Sequence, residues 1–119
     1  MFGLLLLLGV QIGPATPETP NRQPQLAVRG DDVAVAFGAG NAIYLAASAD
    51  GGTTFGPPVL VSSRGALSLG MHRGPRVAYT PQGLVISAVV GEQGKGKDGD
   101  VVAWRSRDGG KTWSAATLG

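Results

Sequence analysis

One eight-residue turn sequence occurs twice in this chain, and it restricts the fold more than any other feature. The first copy runs from Ser48 to Phe55 as SADGGTTF, and the second runs from Ser106 to Trp113 as SRDGGKTW, 58 residues later. Because similarity at a fixed spacing is the signature of a repeat architecture, we expect one supersecondary unit to be built twice.

The sequence before each copy repeats as well. Residues 24–28 (PQLAV) correspond to residues 75–79 (PRVAY), at a spacing of 51 residues. The difference between the two spacings is an insertion, which we place in residues 91–99, where the second unit has the longer loop.

Each unit divides into four short strands that are separated by Gly, Pro and Asp turn residues. The predicted strands are 25–29, 33–37, 42–48 and 58–62 in the first unit, and 76–80, 84–90, 100–106 and 115–118 in the second. Strands 33–37 and 84–90 are apolar on both faces, so both of their faces must be covered. The expected fold class is all-β, and four-stranded sheets stacked face to face are the blades of a β-propeller.

Composition agrees with a folded, turn-rich chain and excludes several kinds of site. Hydrophobic residues make up 43% of the chain and glycine contributes 20 of its 119 residues. The net charge of +2 comes from scattered residues, so no nucleic-acid partner is expected. With no cysteine and one histidine, neither a cysteine-based nor a histidine-based metal cluster can form, and no metal or cofactor is expected.

Residues 1–15 resemble a secretory signal peptide. The apolar run 1–10 is too short to span a bilayer, and Gly13-Pro14-Ala15 offers a small-residue cleavage site. No Lys or Arg precedes the run, and a buried first strand is the alternative interpretation. With residues 16–23 as a proline-rich linker, we expect a secreted or periplasmic protein whose mature chain has no transmembrane span.

The repeated octapeptide also has a physical rationale as a turn. An Asp carboxylate can accept hydrogen bonds from backbone N–H groups two residues on, and the Gly pair permits positive φ. Phe55 or Trp113 then supplies an aromatic ring that anchors the turn against the sheets. In this interpretation the carboxylates of Asp50 and Asp108 close their own turns.

The pattern Ser-x-Asp-x-Gly-x-Thr-Trp/Phe resembles the Asp box of sialidases (neuraminidases) and related BNR-repeat propellers. In that family the box joins the third and fourth strands of a blade at the periphery, away from the substrate pocket. The resemblance implies about two blades here, residues 24–63 and 72–119, as the N-terminal part of a longer sialidase-type propeller. The Asp-box residues that it implies are Ser48, Asp50, Gly52, Thr54, Phe55, Ser106, Asp108, Gly110, Thr112 and Trp113.

An Arg-x-Pro element also resembles the sialidases, in which its arginine is one of three that bind the sialic-acid carboxylate. Arg73, in RGP, is the better match, and Arg22, in RQP, is the alternative. The planar guanidinium suits this task because it can bind a carboxylate through two parallel hydrogen bonds. A solvated loop arginine remains the other interpretation.

The family's acid/base aspartate lies in the loop between the second and third strands of the same blade. Asp98 matches it by position, and Asp100 is the alternative. Where the family commonly has an arginine in this loop, this chain has Gln93 and Gly94. A solvated hairpin turn is the other interpretation of Asp98.

The resemblance implies that the parent protein is an exo-α-sialidase, a glycoside hydrolase that removes terminal sialic acid from a sialylated glycan partner. The nucleophilic Tyr–Glu pair and the other two arginines of the family have no match here, so the chain alone is predicted to be inactive. Two alternatives remain open. One is a non-catalytic Asp-box propeller that binds glycan or protein, and the other is a lectin-like chain that completes its propeller by oligomerising.

Overall fold

The computed structural model describes residues 21–63, 66–67, 74–91 and 100–116, and these contain strands and turns but no helix. The predicted all-β class is confirmed. The strands are β1 (Asn21–Arg29), β2 (Asp32–Ala39), β3 (Ala42–Ser48), β4 (Val59–Ser62), β5 (Ala66–Leu67), β6 (Arg76–Thr80), β7 (Gly83–Gly91), β8 (Asp100–Ser106) and β9 (Ser114–Ala116).

The first sheet is an antiparallel meander with the strand order β1-β2-β3-β4. Its first strand begins at Asn21, so the last three residues that the sequence assigns to the linker lie in β1. The β1–β2 register shifts between Arg22 and Gln25, which places Pro24 in a bulge. A proline fits there because it has no N–H to contribute to the ladder.

The second sheet repeats this arrangement with one addition. Strands β7, β8 and β9 pair in sequence, and both β5 and β6 lie along the free edge of β7. The short β5 pairs with Val90 and Gly91, and β6 pairs with the opposite half of β7. The sheet is therefore four strands across, and its first position is divided between two segments. The sequence did not predict β5.

The two sheets have the same internal register, so the sequence repeat is also a structural repeat. Val33 pairs with Ser48 in the first sheet, and Leu84 pairs with Ser106 in the second. A residue in the first or second strand of the first unit is equivalent to the residue 51 positions later in the second unit. For the third strand and the Asp box, the offset is 58 positions.

The sheets pack on each other through one shared core. The inward face of the first sheet carries Ala34, Ala36, Ile43 and Leu45, and the inward face of the second carries Leu84, Ile86, Ala88 and Trp104. The outward face of the first sheet carries Val33, Val35, Phe37 and Tyr44. The outward face of the second sheet carries Val85, Ser87, Ala103 and Arg105.

The faces that meet are unlike faces of the repeat. Val33 and Val35 are equivalent to Leu84 and Ile86, yet the first pair lies on an outward face and the second pair on an inward face. The two sheets therefore have the same orientation in the stack, and the inward face of the first sheet packs on the face of the second sheet that is equivalent to its own outward face. They approach most closely at β1 and β6.

Candidate functional site

The first Asp box is a turn in which one carboxylate collects three hydrogen bonds. Asp50 Oδ1 accepts from Ser48 Oγ at 2.7 Å and from Thr54 N at 2.9 Å, and Asp50 Oδ2 accepts from Thr54 Oγ1 at 2.5 Å. The Ser48 hydroxyl oxygen in turn accepts from Gly52 N at 2.9 Å. Because Ser48 is the last residue of β3, this network fixes the direction in which the chain leaves the sheet.

The second box repeats the network with nearly the same distances. Asp108 accepts from Ser106 Oγ at 2.7 Å, from Thr112 N at 2.9 Å and from Thr112 Oγ1 at 2.5 Å. Lys111 N donates to the same carboxylate at 3.1 Å. The backbone donors thus lie three and four residues beyond Asp108, rather than two as the sequence interpretation placed them, so the carboxylate closes a wider turn.

Glycine is required in both turns by backbone conformation. Gly51 and Gly52 have φ values of 74° and 94°, and Gly109 and Gly110 have 78° and 98°. Residues with a Cβ rarely adopt these φ values.

The aromatic residue that ends each box packs against the sheets. Phe55 packs on the outward face of the first sheet, beside Val33, Val35 and Phe37. Trp113 packs on the core between the sheets, and its indole Nε1 donates to the carbonyl oxygen of Gly110 at 2.9 Å. Equivalent rings therefore lie on equivalent faces, but only the second lies between the two sheets.

The hydrogen bonds keep both carboxylates ionised. The Thr54 hydroxyl, its backbone N–H and the Ser48 hydroxyl lower the pKa of Asp50 from 3.8 to about 2. The corresponding donors of Thr112 and Ser106 lower the pKa of Asp108 further. Both oxygens of each carboxylate accept hydrogen bonds within their own turn, which agrees with the structural interpretation of both residues.

The predicted catalytic and binding residues are only partly within the described residues. Arg73 and Asp98 lie outside them. Arg22 is exposed in β1 and pairs with Gly38 near the end of β2, and Asp100 begins β8 opposite Val90 near the end of β7. Both positions lie at the end of their sheet that is opposite to the Asp box.

Two recesses open at the Asp-box end of the described residues. One, of about 470 Å³, is lined by Arg29, Thr80, Pro81, Gln82, Gly83 and Arg107. The other, of about 210 Å³, is lined by Arg29, Asp32, Ala47, Ser48, Ala49, Tyr79 and Gly109. Both recesses therefore lie at the end of the sheets that is opposite to Arg22 and Asp100.

Arg29 is the residue shared by the two recesses. Its guanidinium carbon lies 4.6 Å from the centre of the Tyr79 ring, a cation–π contact between the first sheet and the second. Burial and the nearby carboxylate of Asp32 raise the pKa of Tyr79. Sequence reasoning did not single out Arg29, because an isolated arginine at the end of a strand carries no distinguishing pattern.

No protein-family model, curated protein or solved structure matches this chain. Across the described ranges, no helix is long and apolar enough to cross a membrane. The same residues contain no group of three or more His, Asp or Glu side chains that could hold a metal ion.

Proposed function

We propose that the chain forms two neighbouring blades of a sialidase-type β-propeller, and that the parent protein is an exo-α-sialidase acting on terminal sialic acid. One observation carries the proposal. Two Asp-box turns with matching hydrogen bonds follow register-equivalent third strands, on sheets that stack through unlike faces. Blades about a common axis stack in this way, because each blade presents the same face to the next one.

The position of the Arg-x-Pro elements agrees with this assignment. Arg22 opens β1, the strand that lies closest to the second sheet, and it does so at the end opposite to the Asp boxes. Arg73 holds the corresponding position in the second repeat by the 51-residue spacing. An arginine at this position in each repeat suits the binding of an anionic sugar, since a guanidinium can bind a carboxylate through two hydrogen bonds.

In this proposal the chain supplies two parts of the reaction. Arg73 binds the substrate carboxylate and holds the sugar in place. Asp98, protonated at the start, gives its proton to the glycosidic oxygen as the bond to the leaving group breaks, and later takes a proton from the attacking water. A tyrosine of the parent, activated by a glutamate, forms the covalent intermediate, as in sialidases generally.

The test is turnover of an aryl sialoside by the parent protein and its variants. Asp98→Asn should lower kcat by about 10²- to 10⁴-fold, because a carboxamide cannot cycle a proton. Arg73→Lys should raise KM, since an ammonium group cannot reproduce the two-point contact with a carboxylate.

Asp50→Asn is the matched control, because it makes the same chemical change at the Asp-box end. An amide oxygen can still accept from Ser48 and Thr54, and the amide nitrogen can donate to the Thr54 hydroxyl, so turnover by the folded fraction should be unchanged. The enzymatic function would be excluded by a folded parent without sialidase activity. It would also be excluded by a parent whose activity does not change on substitution of Asp98 and Arg73.

A non-catalytic Asp-box propeller that binds glycan or protein is the second candidate. It is favoured by Gln93 and Gly94, which stand where the family commonly has an arginine. Binding of a sialylated glycan by an inactive parent, measured by calorimetry, would support this candidate.

A further inference from the structure

Large apolar side chains are exposed on both outward faces of the sheet pair. The first sheet exposes Leu26 (66%), Val28 (65%) and Leu60 (50%) on its outward face, and the second exposes Val101 (59%) on its own. The strand registers place these residues: Leu26 pairs with Val35, Leu60 pairs with Tyr44, and Val101 pairs with Val89.

Each of three exposed residues has a covered equivalent in the other repeat. Val77 and Tyr79 hold the positions of Leu26 and Val28, and both pack against the core between the sheets. Ile43 holds the position of Val101 and is only 1% exposed. The exposed apolar residues therefore lie where the repeat contacts a neighbouring sheet.

The Asp-box glycines give the same result independently. A Cβ added to Gly110 would lie 2.5 Å from Leu45 Cδ2 of the first sheet. A Cβ added to the equivalent Gly52 would meet nothing within 4 Å. The second Asp box thus touches a neighbouring sheet, whereas the first has an open place for one.

The outward face of the second sheet resembles the inward face of the first sheet, which is the face that packs against the second Asp box within the chain. Ala78, Val85 and Val101 are equivalent to Ala27, Ala34 and Ile43 and keep this part of the surface apolar. Arg76 and Ser87 are polar residues of the same face. Arg105 replaces Ala47, and its Nε is buried without a hydrogen bond to any residue that the structure describes.

We propose that a second copy of this chain docks head to tail, with the outward face of its second sheet on the outward face of the first sheet. The contact would repeat the interface already present between the two sheets. Because such an interface joins unlike surfaces, it propagates until a ring closes. Two, three or four copies would give four, six or eight sheets, which is the usual range of blade numbers in propellers.

The inference rests on the stacking of the sheets in the proposed function and not on sialidase activity. It concerns the 119-residue chain by itself, because in a longer parent further blades would take the place of the second copy. The proposed docking would therefore be unaffected if the parent were inactive. If the chain were monomeric, the activity assay of the parent would still test the proposed function.

The first experiment measures the mass of the 119-residue chain in solution by light scattering and native mass spectrometry. Wild-type protein at tens of micromolar should be one discrete oligomer. Leu26→Lys and Val101→Lys should each be monomeric, because each places a charge in one half of the interface. Gln82→Lys, an exposed change in the β6–β7 turn, should leave the oligomer unchanged.

The second experiment mixes the two monomeric variants. Leu26→Lys retains an intact second sheet and Val101→Lys retains an intact first sheet, so the mixture should form a 1:1 heterodimer. A variant that still dimerises alone would show that like faces meet, and a monomeric wild type would show that no copy docks. Circular dichroism verifies folding, and Val28→Lys replaces Leu26→Lys if the latter does not fold.

Discussion

The stacking of the sheets makes a quantitative prediction for two glycines that have the same conformation. Gly110 and Gly52 hold equivalent places in the two Asp boxes, with φ values of 98° and 94°. Substitution by alanine strains the backbone equally at both positions. Only at Gly110 does the new methyl group meet the neighbouring sheet, at Leu45 Cδ2.

The difference between the two variants isolates the contact between the sheets. A left-handed backbone costs a residue with a Cβ about 1–2 kcal/mol, and this term is common to both changes. Overpacking adds about 1–3 kcal/mol, and it applies to Gly110 alone. The Leu45 side chain is buried, so it cannot move aside without disturbing the core. Gly110→Ala should therefore lower the free energy of unfolding by about 1–3 kcal/mol more than Gly52→Ala does.

Thermal and urea unfolding of both variants, each in the Leu26→Lys background to prevent self-association, measures this difference. Each kcal/mol should appear as a decrease in Tm of roughly 4–8 °C for a chain of this size. Equal destabilisation by the two substitutions would refute the reasoning, because Leu45 would then not contact the second Asp box.

Two further predictions concern the turns of the individual sheets. Gly83→Ala should lower the free energy of unfolding by more than about 3 kcal/mol, because a Cβ at Gly83 would overlap the backbone oxygen of Ser106. Gly30→Ala should lower it much less, because a Cβ at Gly30 meets nothing within 4 Å. Similar urea midpoints for the two variants would contradict this prediction. The pKa values of Asp50 and Asp108 are lowered on folding, so the stability that they contribute is fully present above the ordinary value of 3.8 and is lost as pH falls toward about 2 and below. Urea titrations across this range should show a loss that becomes smaller in the double Asn variant, and an equal loss in both proteins would contradict the assignment.

The features that the sequence predicts well are those set by local chemistry. The two octapeptides fix their own turns through Ser, Asp, Gly and Thr, so their equivalence and the third-to-fourth-strand placement follow from sixteen residues. The strands between them are bounded by turn residues such as Gly30 and Gly83, and most of the predicted limits agree with the structure within a few residues.

The features that the sequence does not predict depend on contacts between distant segments. Strand β5 is two residues long and carries no periodicity, and its place is set by the free edge of β7. The early start of β1 depends on a bulge that has Gln23 at a φ of 53°. A strand that is apolar on both faces, such as β2, cannot indicate which face meets the next sheet.

The candidate site divides in the same way. Arg22 and Asp100 could be placed at one end of the sheets because both belong to strands. Arg73 and Asp98, the stronger matches by motif, lie outside the described residues, so their roles stay predictions. Arg29 was missed because its contact with Tyr79 joins two sheets, and no local pattern encodes that contact.

The central claim is that the two repeats stack through unlike faces, as successive blades do. Nuclear Overhauser contacts between side chains of the two sheets test this most directly. The account predicts cross-peaks from the Leu45 methyl groups to the α protons of Gly110, and none from Val35 to Ile86. Cross-peaks between Val35 and Ile86, which hold equivalent positions in the two repeats, would show that like faces meet and would contradict the account.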